Sequence, residues 1–335
     1  MLKLHEKRPW EGGGYSNGKG CAEPIHIYGR PCYNTVKFIG KKERTDMLHD
    51  LAFGRMENEF RNVQPAKGDI VICANGGNML VKRDKKTDAL TLAEYTQVLA
   101  WAEEKHWGSW NEECFQYVFR MQDVNYFIWM GEAGEAGDEA FAYESVRNLR
   151  QKESKHICFA LMTAWHLFVW YRNNRFCGRC GDKTVHDERE RMMRCPHCGN
   201  MIFPRINPSV IVGLVDGDRM LLTKYANRGY TRYGMVAGFC EIGETAEETV
   251  AREVMEEVGL KVKNIRYYKT QPWGSDGNML LGYFCDLDGD DTVHLDREEL
   301  SLAEWYHRDN LPAHDDGISL TREMIRVFEE GREPK

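Results

Sequence analysis

The sequence predicts an α/β domain at its C-terminal end, a mixed sheet between helices, preceded by a small cysteine-knuckle module and an α+β N-terminal domain. Three observations carry this. Residues 246–258 have the periodicity and end signals of a short amphipathic helix rich in glutamate. Two CxxC pairs sit immediately upstream. Apolar runs of strand length flank both features.

Taken in order, residues 1–24 are polar and glycine-rich (EGGGYSNGKG) and read as a loose extension. Residues 25–153 read as the α+β domain, with strand-like runs at Thr35–Ile39, Asp69–Cys73, Tyr117–Met121 and Asn125–Met130. Thr91–Lys105 reads as a helix with Leu92, Tyr95, Leu99 and Ala102 on one side. Gly76-Gly77 is a turn signal, no phosphate-cradling GxxxxGK[ST] run is present, and 131–140 (GEAGEAGDEA) reads as an acidic loop. Residues 154–206 combine a linker helix, 154–174, with the cysteine module. The apolar run Ile157–Trp170 is shorter than the roughly 20 residues that span a bilayer, so it reads as a buried helix, with His166 in its core or at an interface. Residues 207–335 form the α/β domain, with strands at Val210–Val215, Met220–Tyr225, Ile265–Gln271 and Met279–Asp286 and a final helix at 319–330.

Cys177-Gly-Arg-Cys180 and Cys195-Pro-His-Cys198 are separated by fourteen residues, the spacing of a zinc ribbon. Each CxxC turn offers two thiolates, and four protein ligands leave no open position, so Zn²⁺ there would be structural. Two disulfides are the competing pattern. Zinc is favoured because no secretory leader is recognisable and the chain has eleven cysteines, which together point to a reducing cytoplasm. His197, between two ligands, reads as a surface residue.

The helix at 246–258 is framed by Thr245 and Glu248, a capping-box pair, and by Gly259, placed for a left-handed stop. Val250, Val254 and Val258 make an apolar stripe. Glu253, Glu256 and Glu257, at i, i+3 and i+4, share one face. Two like charges 4 Å apart repel by about 4 kcal/mol at an effective dielectric of about 20. Helix pairs return only about 0.2–0.5 kcal/mol. A hard cation offsets that repulsion, and an all-oxygen set favours Mg²⁺ or Mn²⁺ over zinc. A net charge of −7 argues against broad nonspecific nucleic-acid binding.

The run Gly238–Leu260, GFCEIGETAEETVAREVMEEVGL, resembles the box of the Nudix hydrolase superfamily at every fixed position. Preceded by a zinc ribbon, it is similar to the NADH pyrophosphatase family, whose bacterial members also remove NAD caps from RNA. Further stretches carry the likeness: Trp170–Gly181, Arg194–Val212, Thr270–Trp273 and Leu295–Tyr306, covering roughly the last 170 residues. The resemblance implies a Nudix fold and hydrolysis of a nicotinamide dinucleotide at its diphosphate, giving NMN or NMNH and AMP. It implies Glu253, Glu256, Glu257 and Glu299 as ligands of Mg²⁺ or Mn²⁺, with Glu256 or Glu257 also taking a proton from water and Arg252 orienting the glutamates. Gly238 is expected to open the loop to the phosphates. Phe203 and Phe239 are expected to sandwich a base. Met279 and Leu280 are expected in the same pocket or in the strand core, and the helix beginning Ser319–Ile325 is expected to point its first backbone groups at the ligand. The family follows its box with SQPWPFPxS. Here Gln271, Pro272 and Trp273 are kept, while Gly274-Ser275-Asp276-Gly277-Asn278 replaces the rest, which reads as a flexible polar segment. Gln271, Trp273 and Asn278 are candidate substrate contacts. FAD, ADP-ribose, a nucleotide sugar or a dinucleoside polyphosphate is the alternative substrate, and a noncatalytic nucleotide sensor is the alternative role. The expected partners are the small dinucleotide, NAD-capped RNA ends and a second copy in a homodimer, with no membrane.

Overall fold

The computed structural model describes residues 47–52, 54–108, 110–149, 154–226, 232–312 and 317–335, all within one compact unit, Thr45–Lys335. The expected extension 1–24 and strand Thr35–Ile39 lie outside the described residues.

The first sheet uses β1 (Ile70–Asn75), β2 (Asn78–Arg83), β3 (Leu90–Thr91), β4 (Phe115–Met121), β5 (Val124–Trp129) and β6 (Phe141–Ser145). Its order is β3-β2-β1-β5-β4, with β6 on β2. β1 runs parallel to β5, from Ile70 opposite Tyr126 to Cys73 opposite Trp129. Ile70–Ala74 of β1 is apolar without interruption because both faces are covered. Val71 and Cys73 pack with α1 (Tyr95–Glu104), and Ile72 and Ala74 with α2 (Lys155–Asn173). The helix expected from Thr91 begins only at Tyr95. Leu90 and Thr91 pair with β2, and the Ala93 carbonyl accepts from Val71 N, so the sheet uses these backbone groups first.

Helix α2 is buried as expected. Leu161, Met162, Phe168 and Trp170 share one core with Leu48, Phe119, Ile128, Met193 of the cysteine module and Trp273 of the last domain. Arg191 braces the cysteine module further by donating to the carbonyls of Tyr117, Val118 and Asn58. That module is a three-stranded sheet of β7 (Val185–His186), β8 (Met193–Arg194) and β9 (Met201–Ile202).

The second large sheet comprises β10 (Asn207–Asp216), β11 (Arg219–Tyr225), β12 (Val236–Phe239), β13 (Val262–Trp273), β14 (Asn278–Leu287) and β15 (Leu300–His307). Its order is β13-β14-β10-β11-β15, with β12 on β10. The β10–β14 pair is parallel and the others antiparallel, so the sheet is mixed. Helix α3 (Ala246–Val258) lays Val250, Val254 and Val258 on Val210, Val212 and Leu214. Helix α4 (Leu320–Glu329) packs Met324, Ile325 and Phe328 on Ile211, Val215 and Phe284 of the other face. The expected sheet between helices is present, with β12 and β15 added. Pro272 is tolerated in β13 because that strand is an edge.

Candidate active site and metal centre

Local signals build α3 as its sequence dictates. Glu248 N donates to Thr245 Oγ1 at 3.2 Å and Thr245 N to Glu248 Oε2 at 2.7 Å, while Gly259 closes the helix at φ 70°. Arg252 and Glu256 lie on the face away from the valine stripe, while Glu253 and Glu257 flank the stripe and are buried beside it. The Arg252 guanidinium grips Glu244 through Nε at 2.6 Å and Nη2 at 2.9 Å, and Nη1 reaches Glu253 and Glu256, each at 2.8 Å. Nη2 also donates to the Phe239 carbonyl at 2.9 Å, which ties α3 to the end of β12. Glu244 further accepts from Thr249 Oγ1 and from Glu241 N. The guanidinium first, and then the Glu241 N–H, hold its pKa down to about 2.

The three helical glutamates differ in environment. Glu257 is buried at 3 % exposure, Glu253 is buried, and Glu256 is 58 % exposed at its side chain. Burial pushes the Glu253 pKa up; Arg252 opposes this and the charges of Glu256 and Glu299 add to it. Glu299 is exposed in the segment before β15, and its carbonyl accepts from Ala226 N. Among the described residues, no three of these carboxylates converge to within 4.8 Å. Arg252 ties Glu253 and Glu256 to Glu244.

Gly238 sits beside them for a steric reason that differs from the expected one. A Cβ there would meet Glu253 Cδ and Oε1 at 1.9 Å, so the glycine leaves the space that the carboxylate fills. Alternation along β12 then turns Phe239 the other way, into a cleft of about 960 Å³ on the α4 side of the sheet. Ile211, Ala237 and Leu280 give that cleft an apolar floor, with Ser209, Trp273 and Asn278 also in its wall. Ser319, ahead of α4, lines it.

The other expected contacts divide. Phe203 lines a second cleft of about 860 Å³ with Trp165, His166 and Arg205, so the chain does not place Phe203 and Phe239 around one pocket. Both rings are about half exposed, at 53 % and 54 %. The Gln271 amide is fully buried and committed to the fold: Nε2 donates to the Ile318 carbonyl and Oε1 accepts from Leu320 N, each at 2.8 Å. Trp273 Nε1 donates to Asp276 Oδ2 at 3.0 Å.

The segment 274–278 is not the free polar loop its composition suggested. Trp273 pairs with Asn278, so 274–277 is a four-residue hairpin turn. Asn207 N and Nδ2 both donate to the Gly277 carbonyl, and Ser275 Oγ donates to Asp276. Gly274 lies so close to α2 that a Cβ would meet the Met162 carbonyl oxygen at 2.3 Å. Docking, rather than proline, holds the turn. Asp276 pairs with Arg147 at 3.6 Å, and these two residues line both clefts. Arg147 and Asn148 belong to the segment after β6. Nothing in their local sequence marks them, because only tertiary packing brings that segment to the cleft.

The four cysteines do converge. Cys177 Sγ is 3.6 Å from Cys198 Sγ and Cys180 Sγ 3.5 Å from Cys195 Sγ, and all four sulfurs lie within 4.8 Å of one another. A tetrahedral zinc with Zn–S near 2.3 Å sets its sulfurs about 3.8 Å apart, so the shell fits that ion. The two knuckles repeat the same backbone. Gly181 N donates to the Cys177 carbonyl and Gly199 N to the Cys195 carbonyl, with both glycines left-handed at φ 83° and 71°. All four cysteines are free thiols, which sets the disulfide pattern aside. His197 is exposed and pairs with Asp182 at 3.0 Å.

Residues 205–328 match the NUDIX domain, and residues 172–203 match the NADH pyrophosphatase zinc ribbon domain. Among curated proteins the chain is similar to the NAD-capped RNA hydrolase NudC of Erwinia tasmaniensis, 36 % identical over 202 residues, 59 % of this chain and 76 % of that one. It is likewise similar to the protein of that name from Pseudomonas syringae pv. syringae, 36 % identical over 190 residues, 57 % of this chain and 68 % of that one. With the Photorhabdus laumondii protein of the same name it is 38 % identical over 159 residues, 48 % of this chain and 62 % of the relative, so here it spans less than two thirds of the relative's length. Among the described residues no helix is long and apolar enough to cross a membrane.

Proposed function

Because this chain belongs to the Nudix hydrolase family, in the branch that carries an NADH pyrophosphatase zinc ribbon, we propose that it hydrolyses a nicotinamide dinucleotide at its diphosphate. The products are AMP and NMN or NMNH, and an NAD-capped RNA end is a second form of the same substrate. The observation that carries the reading is the buried Glu253 seated against Gly238 and tied by Arg252 to Glu244 and Glu256, beside a cleft of about 960 Å³.

In this reading Glu253, Glu256, Glu257 and Glu299 hold Mg²⁺ or Mn²⁺. Their all-oxygen set suits a hard cation, and the pocket left by the missing Cβ at Gly238 suits a carboxylate held still. A divalent ion bound there supplies charge neutralisation at the diphosphate and a more acidic water. The protein's own part is to position and to move one proton. Arg252 fixes the carboxylates, Glu256 or Glu257 accepts the proton as the water oxygen bonds to phosphorus, and the P–O bond of the bridge breaks toward the leaving mononucleotide. In this reading Arg147, in the lining of the cleft, meets a phosphate oxygen. Phe239 offers a stacking face worth about 1–3 kcal/mol to a base.

The same proposal includes a homodimer in the cytoplasm. Phe176, Met201, Phe203 and Ile206 are each more than half exposed around the cysteine module, an apolar surface of the kind that a second copy covers. A different diphosphate substrate is the second reading, supported by the 274–278 sequence. Product chromatography decides between them, with NADH, NAD⁺, FAD, ADP-ribose, a nucleotide sugar and a dinucleoside polyphosphate offered in parallel with Mg²⁺ or Mn²⁺. AMP with NMNH or NMN released well ahead of the rest is the expected result. Preference for another substrate retires the nicotinamide assignment and keeps the diphosphate chemistry.

A further inference from the structure

The wall of the 960 Å³ cleft has almost no charge to offer an anion. Among the described residues that line it, Arg147 and Asp276 are the only charged side chains, and they pair with each other at 3.6 Å. A site for a chain of phosphates gathers positive charge, because each phosphate brings a negative one that has lost its water. This wall presents one guanidinium and sets a carboxylate beside it.

Both partners stand on fixed backbone from separate parts of the chain. Val146 and Leu149 are buried, and Asn148 N and Leu149 N donate to the Ser145 and Val146 carbonyls, so Arg147 rises from an anchored turn. Its guanidinium is 73 % exposed and makes no hydrogen bond among the described residues. Asp276 is held more firmly. Its Oδ2 accepts from Trp273 Nε1 and from Ser275 Oγ, each at 3.0 Å, while Oδ1 faces Arg147. An ion pair this exposed adds little to stability. Its effect is on the potential in the cleft, where the carboxylate cancels much of the attraction that Arg147 offers an anion.

We propose that Asp276 is a specificity-determining residue that limits how much phosphate charge the cleft accepts. This rests on the reading of the cleft as a diphosphate site. A diphosphate bridged between two nucleosides has no terminal phosphate, so it lacks the second ionisation, near about pH 6, that the end of a free phosphate chain adds. Arg147 meets that modest charge. A ligand with a terminal phosphate or a longer chain brings further charge to a wall with no second cation, and Asp276 repels it. Repulsion of the wrong ligand raises selectivity without a new contact to the right one.

The test is equilibrium binding by calorimetry on the full chain, without added divalent cation, at low and at high salt. AMP, ADP and ATP share one nucleoside and differ in phosphate number, and ADP-ribose presents the bridged diphosphate. Wild type is expected to bind ADP-ribose at least as tightly as ATP. Asp276→Asn keeps an acceptor for Trp273 and Ser275 and removes the charge, so its Tm is expected to hold. At low salt its affinity is expected to rise by about a further twofold with each added phosphate, so that the ATP-to-AMP ratio grows about fourfold, and the gain is expected to fade at high salt. Arg147→Gln, at an exposed position, is expected to move that ratio the opposite way. A ratio unchanged in either folded variant, a gain equal for all four ligands, a gain that survives high salt, ATP bound well ahead of ADP-ribose by wild type, or no binding of any ligand overturns the proposal. A chain that cleaves NADH yet shows no charge-dependent gain overturns the role of Asp276 alone, whereas one that shows the gain but cleaves no dinucleotide overturns the catalytic reading alone.

Discussion

Gly238 and Glu253 interlock so closely that a Cβ on the glycine would lie 1.9 Å from both Cδ and Oε1 of the carboxylate. Nearly any side chain at 238 must therefore eject Glu253 from its seat. Gly238→Ala is expected to lower kcat by two decades or more while costing only about 1–3 kcal/mol of stability, the usual range for overpacking. Turnover of NADH beside a thermal melt checks it. Unchanged kcat in a folded variant would remove Glu253 from the mechanism.

Glu253 itself carries a pKa raised chiefly by burial, so its ionised form weakens the fold. The sign follows: the penalty is absent below the carboxylate's ordinary pKa and grows as pH rises through the raised one. Glu253→Gln is expected to melt higher than wild type at neutral pH, to lose that advantage near pH 4, and to be inactive throughout. Melting curves across that pH range measure it.

Glu244 has the opposite shift. Arg252 and the Glu241 N–H hold its pKa at about 2, so its contribution is full above the ordinary carboxylate pKa and fades as pH falls toward about 2. Glu244→Gln is expected to weaken the fold at neutral pH and to flatten the acid-unfolding profile between about pH 5 and 2. Arg252→Ala should move the Glu244 titration up toward the ordinary value, as followed by carboxyl NMR shifts.

Glu256 is exposed and touches Arg252 without supporting the core. Glu256→Gln is expected to leave the melt unchanged and to cut turnover by two or more decades. Wild-type-like turnover would free Glu256 from any role and leave Glu257 as the proton acceptor.

The sulfur shell predicts one zinc per chain by elemental analysis. Cys195→Ser or a strong chelator is expected to loosen 175–202 and to release the Arg191 brace on the Tyr117 and Val118 carbonyls, read as faster hydrogen exchange in both segments. A purified chain that is fully folded and free of zinc would refute the structural role.

Much of this was legible along the chain because the signals are local. Helix α3, its caps, its valine stripe and the shared face of Glu253, Glu256 and Glu257 follow from a 3.6-residue period and two end residues. The cysteine knuckles follow from a spacing that only a tetrahedral shell demands. Helix α1 starts later than its pattern predicts, since Leu90–Glu94 could satisfy its backbone in a helix or in the sheet, and the partners that decide it, Lys82 and Arg83 in β2 and Val71 in β1, lie on other strands.

What the sequence by itself determined, then, is which elements form and which carboxylates and thiols they present, because those follow from near-neighbour geometry. Tertiary structure alone decided the rest. It buried Glu257 and exposed Glu256 on one helical face, spent the Gln271 amide on the start of α4, docked the 274–277 turn on Met162, and put Phe203 and Phe239 in different clefts. The reason is physical: burial, desolvation and steric exclusion depend on atoms brought close from distant parts of the chain, and no window along the sequence contains them.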